Sequence, residues 1–75
     1  MEHQRQASSR SLELAKKAVA LEKSPVFLDT LAEAFYANGL ISEAVSSIEE
    51  AISLATEGKG YYEKQLKKFL GQGEG

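Results

Sequence analysis

The chain superimposes on itself, and that self-similarity is the strongest constraint on its fold. A shift of 33 residues lays Ser9 on Ser42, Leu12 on Val45, Ala15 on Ile48, Ala18 on Ala51, Val19 on Ile52 and Leu21 on Leu54. A shift of 35 lays Val26 on Tyr61, Phe27 on Tyr62, Leu31 on Leu66, Ala34 on Phe69 and Phe35 on Leu70. Few pairs are identical, yet nearly all keep their core or surface character. A period close to ~34 residues is that of stacked helix pairs, each of which buries its apolar face only against a neighbour.

Breakers punctuate the chain at matching intervals: Ser24-Pro25, Asn38-Gly39, Gly58-Lys59-Gly60 and the glycine-rich end from Gly71. Four segments with apolar residues at three- and four-residue spacing lie between them, which predicts helices and no strand. The first runs from about Ser9 to Lys23 with Leu12, Ala15, Ala18, Val19 and Leu21 as its apolar residues. The second takes Ser24 as N-cap and Pro25 in its first turn, where the missing N–H has no partner to lose. It carries Val26, Phe27, Leu28, Leu31, Ala34 and Phe35, and Gly39 closes it in a left-handed conformation. The third is expected to start at Ser42 and to end at Gly58, with Ala44, Val45, Ile48, Ala51, Ile52 and Ala55 inward. The fourth sets Tyr61, Tyr62, Leu66, Phe69 and Leu70 against Lys64, Lys67 and Lys68. These boundaries divide the chain into a flexible or fraying extension (1–8), which could instead lengthen the first helix, a helical domain (9–70) and a flexible glycine-rich tail (71–75).

From Leu28 to Leu54, the residues Leu31, Ala32, Phe35, Gly39, Ala44, Ile48, Ala51, Ile52 and Leu54 fall where a tetratricopeptide repeat places its small and large packing positions. The chain resembles that family over about four-fifths of its length: the second helix of one repeat, one full repeat, then a closing helix. Small residues at Ala32, Ala44 and Ala51 would let two helices approach closely while Leu31, Phe35 and Ile48 fill the gaps. The pattern departs from the family at Ser11 and Ala15, at Thr56-Glu57-Gly58 where a proline is usual, and at Lys67 where a small residue is usual. Lys67 suits a terminal helix facing water. The resemblance implies an all-α, right-handed stack of about four antiparallel helices.

It also implies a non-catalytic module that grips a peptide or helix of a partner protein along the first helix of each pair. On this chain those groove positions are Val26, Asp29, Glu33 and Tyr36, joined by Tyr61, Lys64 and Lys68 at the same offset. Taken singly, Asp29, Glu33, Lys64 and Lys68 also suit an ordinary solvated surface. Some relatives clamp acidic C-terminal peptides with basic groove residues; Asp29 and Glu33 would repel a carboxylate, so such ligands are disfavoured and neutral or basic peptides preferred.

Charge is segregated along the chain. Residues 1–23 carry a net +2, residues 24–57 carry six acidic groups and no basic one, and residues 58–75 carry +2, for a total of −2. Asp29 and Glu33 are therefore expected to face Lys64 and Lys68 across neighbouring helices. Alternatively, the basic ends of one molecule meet the acidic middle of another.

Other chemistries find little to work with. The chain has no cysteine and a single histidine, His3, so disulfides, metal sites, cofactor sites and histidine-driven catalysis are not expected. Eight serines lack a placed base, and Gly58-Lys59-Gly60 is not a phosphate-binding loop. No apolar run reaches the ~18 residues of a membrane span, and three lysines beside two tyrosines in the fourth segment are too few for nucleic acid or a lipid surface. The lack of cysteine suits the cytoplasm, and an exported module as well.

At 75 residues, without staples, such a chain sits at the lower limit of independent stability. Barely two helix pairs fall short of the three repeats that stacked arrays generally use. This leads to the expectation of a C-terminal fragment whose first helix exposes an apolar face, covered by a second copy in a homodimer. The alternative function is purely structural, the chain capping a longer helical-repeat protein.

Overall fold

The computed structural model describes residues 2–71, with side chains from Arg10 onward, and is all-α. Four helices follow one another: α1 (Glu2–Leu21), α2 (Pro25–Ala37), α3 (Ile41–Leu54) and α4 (Lys59–Phe69). Connections of three or four residues force each helix to fold back on the one before it. The result is a slab with extents of 36 × 35 × 16 Å and a radius of gyration of 12.3 Å. A compact chain of this length would have ~11 Å, so the helices lie side by side rather than in a ball.

Local chemistry explains most of the boundaries. Ser24 is extended (φ −124°, ψ 158°) and its hydroxyl accepts from the Phe27 amide at 3.2 Å, while Pro25 opens α2. The end of α2 is a Schellman turn. Gly39 takes φ 77°, its amide donates to the Tyr36 carbonyl at 3.0 Å, and the Leu40 amide donates to the Phe35 carbonyl at 2.9 Å. Asn38 adds a side-chain bond from Nδ2 to the Ala34 carbonyl at 2.8 Å.

The α1 backbone is helical from Glu2, so the residues upstream of Ser9 lengthen the first helix, and residues 72–75 of the tail lie outside the described region. Two boundaries differ from the sequence expectation. Ser42 does not cap α3. The Schellman turn places the Leu40 carbonyl to accept from the Ala44 amide at 3.0 Å, so the helix is already under way at Ile41. Glu43 still lies in the first turn, where the helix dipole favours it. Gly58 does not end α3 either: that helix stops at Leu54, Ala55 turns extended, and Gly58 at φ 74° begins α4 instead. A Cβ at Gly58 would meet nothing within 4 Å, so its positive φ, not crowding, is what calls for glycine there.

The core is continuous and built on small residues. Leu28, Ala32, Ala44, Ile48, Ala51 and Phe69 form the main cluster, with Ala32, Ala44, Ile48 and Ala51 wholly shielded from water. Val19, Phe35, Val45, Tyr62 and Leu66 close around it. Three alanines at the α2–α3 seam allow the close approach that a leucine there would prevent. A second cluster of Ala15, Leu31 and Ala34, flanked by Leu12, Val19 and Phe35, joins α1 to α2.

Burial follows the 33- and 35-residue offsets at most pairs. Ala15 and Ile48 are both buried, as are Ala34 and Phe69; Val19 and Ile52 are both half-buried, as are Phe27 and Tyr62. Three described pairs differ: Ala18 is half-buried where Ala51 is buried, Leu31 is buried where Leu66 is half-buried, and Leu70 is exposed where Phe35 is half-buried, because α4 stops at Phe69. Leu21 and Leu54 are both exposed. Leu21, expected on the inner face of α1, is 88% exposed because the six-residue step from Ala15 turns it well away from that face.

Candidate functional site

The candidate groove positions of α2 are Val26, Asp29, Glu33 and Tyr36, spaced three, four and three apart, and they form one stripe along the helix. The stripe of α4 that meets it is Tyr61, Gln65, Lys68 and Phe69. Asp29 lies by the Tyr61 hydroxyl and accepts from Gln65 Nε2 at 3.0 Å. Gln65 Nε2 also donates to Glu33 Oε2. Lys68 Nζ donates to the same Glu33 oxygen at 3.1 Å. Tyr36 stacks on Phe69 with ring centroids 4.8 Å apart and planes tilted by 36°. These contacts advance in the same order on both helices, so α2 and α4 run parallel.

The expected ion pairs are half right. Lys68 pairs with Glu33, but Lys64 is exposed and Gln65 stands between the two carboxylates instead. Equal helical phase puts Lys64 on the same side of α4 as Asp29 occupies on α2. In parallel rods that side faces α4 from α2 but faces away from α2 on α4, so Lys64 is left exposed. The residue one position further round turns into the space between the rods. Val26 (61% exposed) and Tyr61 (56% exposed) stand at the open end of the face.

Electrostatics sharpen the picture. Among the described residues the carboxylates of Asp29 and Glu33 outnumber Lys68, the one cation paired with them, so the face keeps local negative charge. The Asp29 carboxylate holds the Tyr61 hydroxyl above its ordinary range; partial desolvation, Glu33 and a hydrogen bond to Asp29 push the same way, and Lys68 opposes them. Lys68 Nζ also lies 5.6 Å from the Tyr36 ring centroid and 5.3 Å from that of Phe69, capping the stacked pair with a cation.

Gln65 is the member that sequence reading misses. It is only 8% exposed, and as an uncharged residue in a lysine-rich segment it attracts no notice. The spacing of Tyr61, Gln65, Lys68 and Phe69 by four, three and one is the signal that places it on the inner stripe.

Among the described residues, no helix is long and apolar enough to cross a membrane, and no three acidic or histidine side chains are grouped to hold a metal ion. Comparison with protein-family models, with curated proteins and with solved structures gives no match.

Proposed function

We propose that this chain is a non-catalytic protein–protein interaction module of the tetratricopeptide type, in which the α2–α4 face receives a neutral or basic peptide or helix. The observation that carries this reading is the ladder from Tyr61 to Asp29, Gln65 to Asp29 and Glu33, and Lys68 to Glu33. Its pairs lie 32 to 36 residues apart, the spacing at which a right-handed stack of helix pairs brings the first helix of one pair beside that of the next. The resulting surface is polar and net acidic, with tyrosines at both ends. A cationic side chain would find Asp29 and Glu33 in front of it and tyrosine rings beside it, whereas a carboxylate would be repelled.

A second reading has an observation of its own. Tyr36 and Phe69 are stacked together under Lys68, which fills one end of the face with the molecule's own side chains. That arrangement suits a cap that ends a longer stack and binds no separate ligand.

Titration of isotope-labelled protein with short basic, neutral and acidic peptides separates the two. The module reading expects amide shifts along Asp29, Glu33, Tyr61, Gln65 and Lys68 with the basic peptides, weakening as salt rises. Shifts with none of the peptides would favour the cap, and equal shifts with acidic ones would overturn the proposed charge preference.

A further inference from the structure

We propose that the outer stripe of α1 binds a second copy of this chain, helix against helix and in parallel. The inner face of α1 is occupied: Ala15 is buried against α2, Leu12 and Val19 are half-buried with it, and the Lys16 ammonium lies 5.8 Å from the Phe35 ring centroid. Well round the helix from that face, Leu14 is 59% exposed and Leu21, at 88%, is the most exposed large apolar side chain among the described residues. Ala18 lies between them, and the steps of four and three residues from Leu14 to Ala18 to Leu21 are those of a coiled-coil seam, with Ser11 preceding it.

The charges beside the stripe choose the occupant and its direction. Lys17 flanks the seam on one side and Glu22 on the other, five residues later, and both are exposed. In a parallel pair of identical helices that spacing sets Lys17 of each copy opposite Glu22 of the other, so the contact forms twice across the two-fold axis. An antiparallel pair brings like flanks together, Lys17 of one copy near Lys17 of the other, and is opposed. Head-to-tail stacking of α1 on the free side of α4 is opposed as well, because Arg10 and Lys17 would approach the exposed Lys64 and Lys67. The seam is short, so the expected dimer is weak and concentration-dependent rather than obligate.

Sedimentation equilibrium of the intact chain over micromolar to millimolar concentration tests this. The expected result is a shift from the 8.2 kDa monomer towards twice that mass. L14E/L21E should remain monomeric throughout while its circular dichroism stays that of the parent, since both side chains are exposed. K17E should weaken association about tenfold, and K17E/E22K should restore it. Because the chain has no cysteine, S11C reports direction: a parallel dimer cross-links rapidly through it, whereas S53C on the exposed surface of α3 does not. A monomer at every concentration, a dimer indifferent to L14E/L21E, or a dimer in which S11C cross-links no faster than S53C would overturn the proposal.

Discussion

Helix α2 meets α3 and α4 by opposite chemistries. Towards α3 it presents Leu28 and Ala32, which pack with Ala44, Ile48 and Ala51 in a seam from which water is excluded. Towards α4 it presents Asp29, Glu33 and Tyr36, which are bridged by Gln65 and Lys68 and remain partly wet. One rod thus serves as a structural wall on one side and as a displayed surface on the other. A dry seam holds through shape and fails when its volume changes; a wet one holds through specific donors and acceptors that solvent can partly replace. Function, where it depends on exposed polar groups, has room only on the second.

The largest effects should therefore come from volume changes in the α2–α3 seam. I48A removes a fully buried side chain from the centre of the main cluster, and we expect a loss of about 2–5 kcal/mol, enough to unfold much of a domain of this size. A44V errs in the other direction, forcing the two rods apart, with an expected cost of about 1–3 kcal/mol. Urea denaturation followed by circular dichroism measures both. If A44V were neutral, the alanines would not be at a point of close approach.

Much of this contrast is legible in the sequence, because volume and periodicity are properties of residue type. Ala32, Ala44 and Ala51 at helical spacing, Ser24-Pro25 and Asn38-Gly39 announce a close-packed hairpin between two breakers, and the structure has it there. Legibility ends where an outcome depends on rotation between rods that are not consecutive. Charge complementarity suggests Lys64 for Asp29, yet a rotation of one residue around α4 delivers Gln65. Ser42 and Gly58 show the same limit locally. Each is a good residue for the role expected of it, and each is overridden by the turn beside it, Gly39-Leu40 in one case and extended Ala55 in the other. The solvent side of α1 is equally silent: Leu21 is grouped with the inner residues by its apolar character, yet the six-residue step from Ala15 carries it well round the helix and leaves it exposed.

Effects on the wet side should be smaller and more dependent on solvent conditions. Q65L keeps the volume at the α2–α4 contact but withdraws the donor shared by Asp29 and Glu33. We expect a loss of about 1–2 kcal/mol in urea denaturation. K68Q breaks the Glu33 ion pair, whose partners are 42% and 43% exposed, and should cost less than ~1 kcal/mol. That cost should fall further in high salt, whereas the cost of I48A should not. Equal salt sensitivity of K68Q and I48A would erase the distinction between the two sides.

The smallest effect is also the most local. Tyr61 is more than half exposed, so water and salt screen its neighbours, yet Asp29 still holds its hydroxyl above the ordinary value of 10.0. A phenol raised in the folded state favours folding while it stays protonated. Its contribution is complete below the unfolded value and disappears as pH climbs through the folded one, so the sensitive window is alkaline and nothing changes near neutrality. D29N removes the largest cause of the shift and should bring Tyr61 down towards 10.0. Ultraviolet absorbance of tyrosinate across that window, with Y61F to assign the titration, measures it. If Tyr61 titrates alike in the parent and in D29N, Asp29 does not face it. The exposed end of the ladder between α2 and α4 would then be open, and the face would begin at Gln65.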